Sequence, residues 1–260
     1  MKKFLSKIIK NHFKTILVSL SESKPKNSCI TKLEIELKKK CKLGNKNDKI
    51  YLIPDEIVTP YVLKKGCWDY EIINFINKHI KSKNNIFFDI GANVGLITKQ
   101  LSAKNTKIKK FFCFEPNINS YECLTKNLST NKLVNIYNFG LGLKNQKLKL
   151  YKNKMNSGDS SFVKKKGSYE ICRINNINNF FRNNEKKIKN QNLIYKSDTQ
   201  GMDEEIFINI NKEYFKKIQI AIIEITNFKL VNNNKIKFFS RINSFKILND
   251  KNFNKLSINQ

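Results

Sequence analysis

The sequence predicts an α/β fold: a mostly parallel sheet with helices on both faces and a helical extension at the amino end. Three observations predict it. Short continuous apolar runs such as IFFDIG (86–91), KFFCFEP (110–116) and IQIAIIEI (218–225) recur along the chain. Segments with helical spacing of apolar residues separate them, and no internal repeat is present. Strands buried on both faces read as unbroken apolar runs, and alternation with helices is how parallel strands connect.

The elements follow in chain order. Residues 1–20, MKKFLSKIIKNHFKTILVSL, place Phe4, Leu5, Ile8, Ile9, Phe13, Ile16, Leu17 and Leu20 at helical spacing with lysines opposite. That is an amphipathic basic helix. Lys7, Lys10 and Lys14 break any signal-peptide core. Its apolar stripe suits packing on its own domain or, alternatively, peripheral contact with an anionic membrane surface. Residues 21–48 are polar and lysine-rich and read as a connector, so the chain divides into 1–48 and a domain over 49–260. KIYLIPDEIV (49–58) reads as a strand interrupted by Pro54, and 68–83 as a helix with Ile72, Ile73, Ile76 and Ile80 on one face. Strand 86–91 leads into helix 93–104, and strand 110–116 into helix 118–129 with Tyr121, Leu124 and Leu128 on its apolar face. A strand over 134–142 follows, then two more strands, KLKLYKN and SYEICRINNI, around the polar NSGDSS loop. The asparagine-rich segment 175–192 reads as an exposed loop. Strand 192–198, helix 202–210 and strand 218–225 precede a last helix-and-strand region.

Composition sets bounds. The chain has 260 residues, 40% of them hydrophobic, enough for one sizeable core. Fifty basic against 21 acidic residues give a net charge of +29. Two readings of that charge stand: a polyanion-binding surface, or drift toward A/T-rich codons, since asparagine (about one residue in seven), isoleucine and phenylalanine are inflated too. Lysines are scattered and form no single block. The six cysteines form no CxxC pair and no histidine cluster accompanies them, which argues against a zinc site. Cys113 and Cys123 fall in strand-like and helix-like apolar runs, as reduced core cysteines do, and a reducing cytoplasm fits them. No stretch approaches 18 uninterrupted apolar residues. The expected location is cytoplasmic, with the peripheral inner-membrane contact of residues 1–20 as the addition.

In a parallel sheet, ligands bind at the carboxyl ends of the strands. The polar residues there are Asp89, Gly91, Asn93 and Gly95, then Glu115, Pro116 and Asn117, then Asn138 and Gly140, then Asp198, Gln200 and Gly201. A dinucleotide site wants G-x-G-x-x-G, and the turn G-A-N-V-G lacks the second glycine that lets a pyrophosphate approach. S-adenosyl-L-methionine has no pyrophosphate. It needs a glycine turn by its amino-acid part and an acid one strand over for its ribose hydroxyls. Glu115, 26 residues after Asp89, stands at the end of the next strand.

Several stretches then match together: GCWDYE (66–71), FFDIGANVGLIT (87–98), FCFEPNINSYECLTKNL (112–128), NFGLG (138–142), NSGDSSF (156–162), IYKSDTQGMDEEIF (194–207) and IAIIE (220–224). Over about 65–225 the chain resembles the FkbM family of S-adenosylmethionine-dependent methyltransferases. The resemblance implies a Rossmann-like class I methyltransferase sheet of seven strands with the last antiparallel. It implies O-methylation of a sugar hydroxyl in a glycan or glycoconjugate, or of a secondary metabolite. Asp89, Gly91, Asn93 and Gly95 would then surround the methionine part, Glu115 would bind the ribose, Gly140 would lie by the adenine, and Asp198 would stand nearest the transferred methyl. Asn175 or Asn176 replaces a usual aspartate, and Met202 a usual aromatic residue or alanine. His12 and His79 sit on helices away from the strand ends, so the expected general base is a carboxylate: Asp198 first, Asp159 and Asp203 behind it. No metal is expected. Two rivals remain open: a nucleic-acid methyltransferase on the same fold, motivated by the +29, and a scaffold that has lost catalysis.

Overall fold

The computed structural model describes residues 17–21, 32–153, 155–163 and 167–224. Its centre is a five-stranded sheet in which all four neighbouring pairs run parallel. In chain order its strands are β4 (Asn85–Ile90), β5 (Ile108–Phe114), β6 (Val134–Tyr137), β10 (Asn192–Ser197) and β11 (Ile218–Ile223). Their spatial order is β11-β10-β4-β5-β6. The chain therefore builds outward from β4 in one direction, then returns to β4's other side with β10. That reversal, between β4 and β10, is where a Rossmann-like sheet opens a crevice at its carboxyl edge.

The unbroken apolar strands are explained by cover on both faces. Phe87, Phe111, Ile194 and Ile220 point to one side, against Ile73, Ile76 and Ile80 of the helix α2 (Tyr70–His79) region and Ile97 and Leu101 of α3 (Leu96–Lys104). Phe88, Phe112, Phe114 and Tyr195 point to the other. There they meet α5 (Ile177–Asn183), α6 (Glu185–Ile188), α7 (Asp203–Ile208) and α8 (Lys212–Phe215) through Phe180, Phe181, Ile188, Phe207 and Tyr214. Phe180 sets its ring edge-on to Phe114 and Tyr137, at 4.9 and 5.3 Å between centroids, a favoured aromatic geometry. Helix α4 (Ile118–Leu128) covers the β5–β6 side with Leu124 and Leu128, and Asn117 caps it by accepting from the Asn119 and Ser120 N–H groups.

Four expectations change. Leu17–Ser21, expected at the end of a helix, is strand β1, paired antiparallel with β2 (Leu33–Leu37); residues 1–16 lie outside the described residues. β2 falls inside the expected connector. Its Leu33, Ile35 and Leu37 face inward while Glu34 and Glu36 face out, a period-two alternation that overall polarity concealed. With β3 (Lys49–Leu52) these strands form a separate small sheet, packed on α1 (Val58–Lys65). The single strand expected over 134–142 is two. β6 joins the central sheet, and β7 (Gly140–Gly142) leaves it to pair with β9 (Tyr169–Asn176), which carries β8 (Gln146–Tyr151) on its far side. The asparagine-rich 175–192 is not an exposed loop: α5 and α6 bury Ile177, Phe181 and Ile188, because the apolar residues between the asparagines recur at helical spacing.

Among the described residues no helix is long and apolar enough to cross a membrane. The region after residue 224, where the resemblance implies the last antiparallel strand, lies outside the described residues.

Candidate functional site

At the carboxyl edge of the sheet, over the β4–β10 reversal, lies a cleft partly open to solvent. Gly91, Asn93, Glu115, Gly140 and Asp198 all line it. Its walls also include Trp68, Pro116, Leu150, Phe162 and Met202.

The turn after β4 is shaped by backbone crowding. Gly91 has φ +71°, and a Cβ there would stand 1.9 Å from the Asp198 carbonyl oxygen, so only glycine lets β10's end pass this close. Asn93 also takes a left-handed conformation, φ 49°. Its N–H donates to Glu115 Oε2 at 2.8 Å, while its own buried Oδ1 has no partner in the protein. Among the described residues, three of the four non-glycine residues with positive φ, Asp69, Asn93 and Gln200, stand at or beside this cleft. Such strain concentrates at functional sites.

Glu115 ends β5 and is almost wholly buried. Oε1 accepts from the Asn117 N–H and Oε2 from the Asn93 N–H, both at 2.8 Å. Burial pushes its carboxyl up to about 7, against the pull of those two donors. Each oxygen has a further lone pair to accept with, and Glu115 lines the cleft.

Two predicted residues stand behind the cleft instead of lining it. Asp89 is fully buried within β4, accepting from Thr98 Oγ1 at 2.7 Å and pairing with Lys196 Nζ at 3.1 Å. Gly95 has φ +82°, and its missing side chain makes room for Leu124 and Leu128 of α4, at 2.5 and 2.9 Å from a built Cβ. Its role is helix packing.

Lys196 was not anticipated. It is the one cation among the described residues lining the cleft, and its Nζ also donates to the Gly91 carbonyl at 2.9 Å. Burial alone would lower its pKa; the charges of Asp89 and Asp198 outweigh that and raise it above the ordinary lysine value. A lysine inside an apolar strand run was the available signal, since such a charge persists only when paired.

Asp198 follows β10. Its Oδ1 accepts from Gln200 Nε2 at 2.8 Å, and the same amide donates to Glu224 Oε2 at 2.9 Å, bridging the ends of β10 and β11. Burial first, then the adjacent Asp198 charge and a hydrogen bond to it, push Glu224 up to about 7. Glu224 lay within a matched stretch without a role; an acid ending an apolar strand was its signal. Asp69, held above the ordinary carboxylate range by burial, feels the opposing charge of Lys196 and the adding charge of Asp198.

The other base candidates are used elsewhere. Asp203 is fully buried at the start of α7 and accepts from Ser197 Oγ and the Thr199 N–H, which fixes the turn after β10. Asp159 accepts from Asn153 Nδ2 at 2.8 Å and does not line the cleft. His79 is exposed on α2 with Nδ1 2.8 Å from the Phe75 carbonyl, and His12 lies outside the described residues. Asn175 and Asn176 end β9, where Asn176 caps α5 by accepting from the Asn179 N–H.

No family model and no curated protein matches the chain.

Proposed function

We propose that the chain is an S-adenosylmethionine-dependent methyltransferase of the class I architecture, acting on a hydroxyl group. The observation that carries this reading is Glu115: a carboxylate facing the cleft from the strand next to the Gly91 turn, in a cleft whose free charges are acidic. Glu115 and Asp198 line it with carboxyl groups, whereas Lys196 is held by Asp89 and the Gly91 carbonyl. A pyrophosphate would be repelled there. A sulfonium with an α-ammonium group would be attracted, although the chain as a whole carries +29.

The residues present fit that cofactor. Glu115 would take the ribose hydroxyls on its spare lone pairs, the unpartnered Asn93 Oδ1 would accept from the ammonium, and the backbone of Gly140, whose missing side chain makes room for Ile174, would lie by the adenine. When bound, S-adenosylmethionine supplies an electrophilic methyl group. Asp198 receives the proton of the acceptor hydroxyl, and Gln200 and Glu224 hold its carboxylate in place. Trp68, Phe162 and Met202 give the cleft apolar walls. The acceptor class, a sugar hydroxyl of a glycan or a small metabolite, rests on the sequence resemblance.

Isothermal calorimetry on the intact protein tests the reading. S-adenosylmethionine should bind at micromolar level, and Glu115→Ala should weaken it at least tenfold, about the loss of one charge-assisted hydrogen-bond pair. Asp198→Asn should keep the binding and lose the transfer. Absence of any binding to the wild-type protein would sink the proposal.

A further inference from the structure

Of the eight large apolar side chains exposed among the described residues, four fall on two segments that frame the cleft. Ile57, Met155 and Val163 are 52, 55 and 56% exposed, and Tyr61 is 42% exposed. The same segments line the cleft through Val58, Ser157, Gly158, Ser160 and Phe162. They are joined into one rim. The Glu56 N–H donates to the Met155 carbonyl at 2.8 Å. The buried Asp55 carboxylate accepts from the Thr59 N–H through one oxygen and from the Ser157 N–H and hydroxyl through the other. Ile57 and Tyr61 lie one helical turn apart, the Tyr61 N–H donating to the Ile57 carbonyl.

Single exposed apolar residues need no explanation, but several on one rim do. Lysines neighbour them along the chain. Lys64 and Lys65 are exposed in the last turn of α1. In the sequence Lys154 precedes Met155, and Lys164, Lys165 and Lys166 follow Val163. Aliphatic side chains that can insert, next to lysines that meet anionic headgroups, are how a protein holds to a bilayer surface without spanning it.

We propose that this rim docks on an anionic lipid bilayer and sets the cleft mouth against the membrane, so that the acceptor is carried on a lipid. The acceptor part rests on the methyl-transfer reading; the docking itself does not. A second copy of the chain is disfavoured by charge, since each copy carries +29. Nucleic acid shares the attraction to lysine, but Ile57 and Met155 offer no ring for a base, and the Tyr61 ring already meets Trp68 edge-on at 5.3 Å.

The test is sedimentation of the full chain with phosphatidylcholine vesicles, with and without about 30% phosphatidylglycerol. The anionic vesicles should carry the protein down and the neutral ones should not. Combined Ile57→Ser and Met155→Ser should reduce partitioning by about tenfold. Leu133→Ser, an exposed apolar residue just before the amino end of β6, should leave it unchanged. Melting temperature and S-adenosylmethionine calorimetry on each variant establish that it is folded, and Met155→Ser alone serves if the pair is not. Binding that ignores the rim variants, or no binding to anionic vesicles, overturns the proposal. So does single-stranded oligonucleotide binding that the same variants abolish. Lost vesicle binding with intact cofactor binding refutes docking alone. The reverse refutes the methyltransferase reading and leaves docking standing.

Discussion

Glu115 shows how one buried side chain ties stability to binding. Between its ordinary value of 4.5 and about 7, the folded chain holds a proton on this carboxyl that the unfolded chain has lost. Its contribution to stability therefore falls as pH rises through that window. Binding runs the opposite way, because ribose hydroxyls need an ionised acceptor. Affinity for S-adenosylmethionine should climb by up to about tenfold per pH unit toward 7 and level off above it. Calorimetry from about pH 5.5 to 8.5 measures this, in wild type and in Glu115→Gln. A flat wild-type profile, or the same slope in the variant, would remove Glu115 from the site. Asp89 offers the contrast: a carboxylate one strand away, it is committed to Lys196 and Thr98 and does not line the cleft.

The turn joining β4 to α3 carries two glycines with separate reasons to exist. At Gly91 an added methyl meets a carbonyl of the neighbouring strand end, which cannot move without breaking the hydrogen bond from the Asp198 N–H to the Ile90 carbonyl. At Gly95 it meets leucine methyls, which can shift by rotamer changes. Gly95→Ala should cost about 2–4 kcal/mol from its left-handed backbone and local overpacking, and should still bind ligand. Gly91→Ala should exceed about 4 kcal/mol and abolish binding. Urea unfolding compares them; equal costs would show that the Asp198 carbonyl does not dictate Gly91. Elements of this kind were legible where local pattern and burial agree, as in β4, β5, α4 and β10. They were misread where they did not. Leu17–Ser21 extends a run with helical spacing yet pairs with β2, because an antiparallel partner 12 or more residues away outweighs a local preference. The Asn138–Phe139 step lets β7 leave the central sheet, and β7's pairing partner, β9, lies more than 30 residues on.

Over the whole molecule, 50 basic residues face 21 acidic ones, and the fold must hold that charge together. Surface pairs such as Lys49–Glu34 and Lys152–Glu170 contribute little each. Self-repulsion should therefore dominate, and the melting temperature should rise as sodium chloride goes from about 20 to about 300 mM. Thermal melts across that series measure it; a falling melting temperature would mean that ion pairs outweigh repulsion.

The sequence by itself determined the α/β alternation, the strand that ends in a glycine turn, and the acids Glu115 and Asp198 at strand ends. Those are local properties: periodicity, chain order and the residue types that terminate apolar runs. Only the tertiary structure decided which of them meet. Strand order is not written locally, and it alone places β10 beside β4, so that Lys196 reaches the Gly91 carbonyl 105 residues away. That neighbour relation takes Asp89 out of the cleft by pairing it, and the pairing of β11 with β10 brings Glu224 to Gln200 beside Asp198. Helix packing takes Gly95 out as well. The physical reason is the same in each case: burial and charge pairing are set by what lies across space, and the chain states only what lies along it.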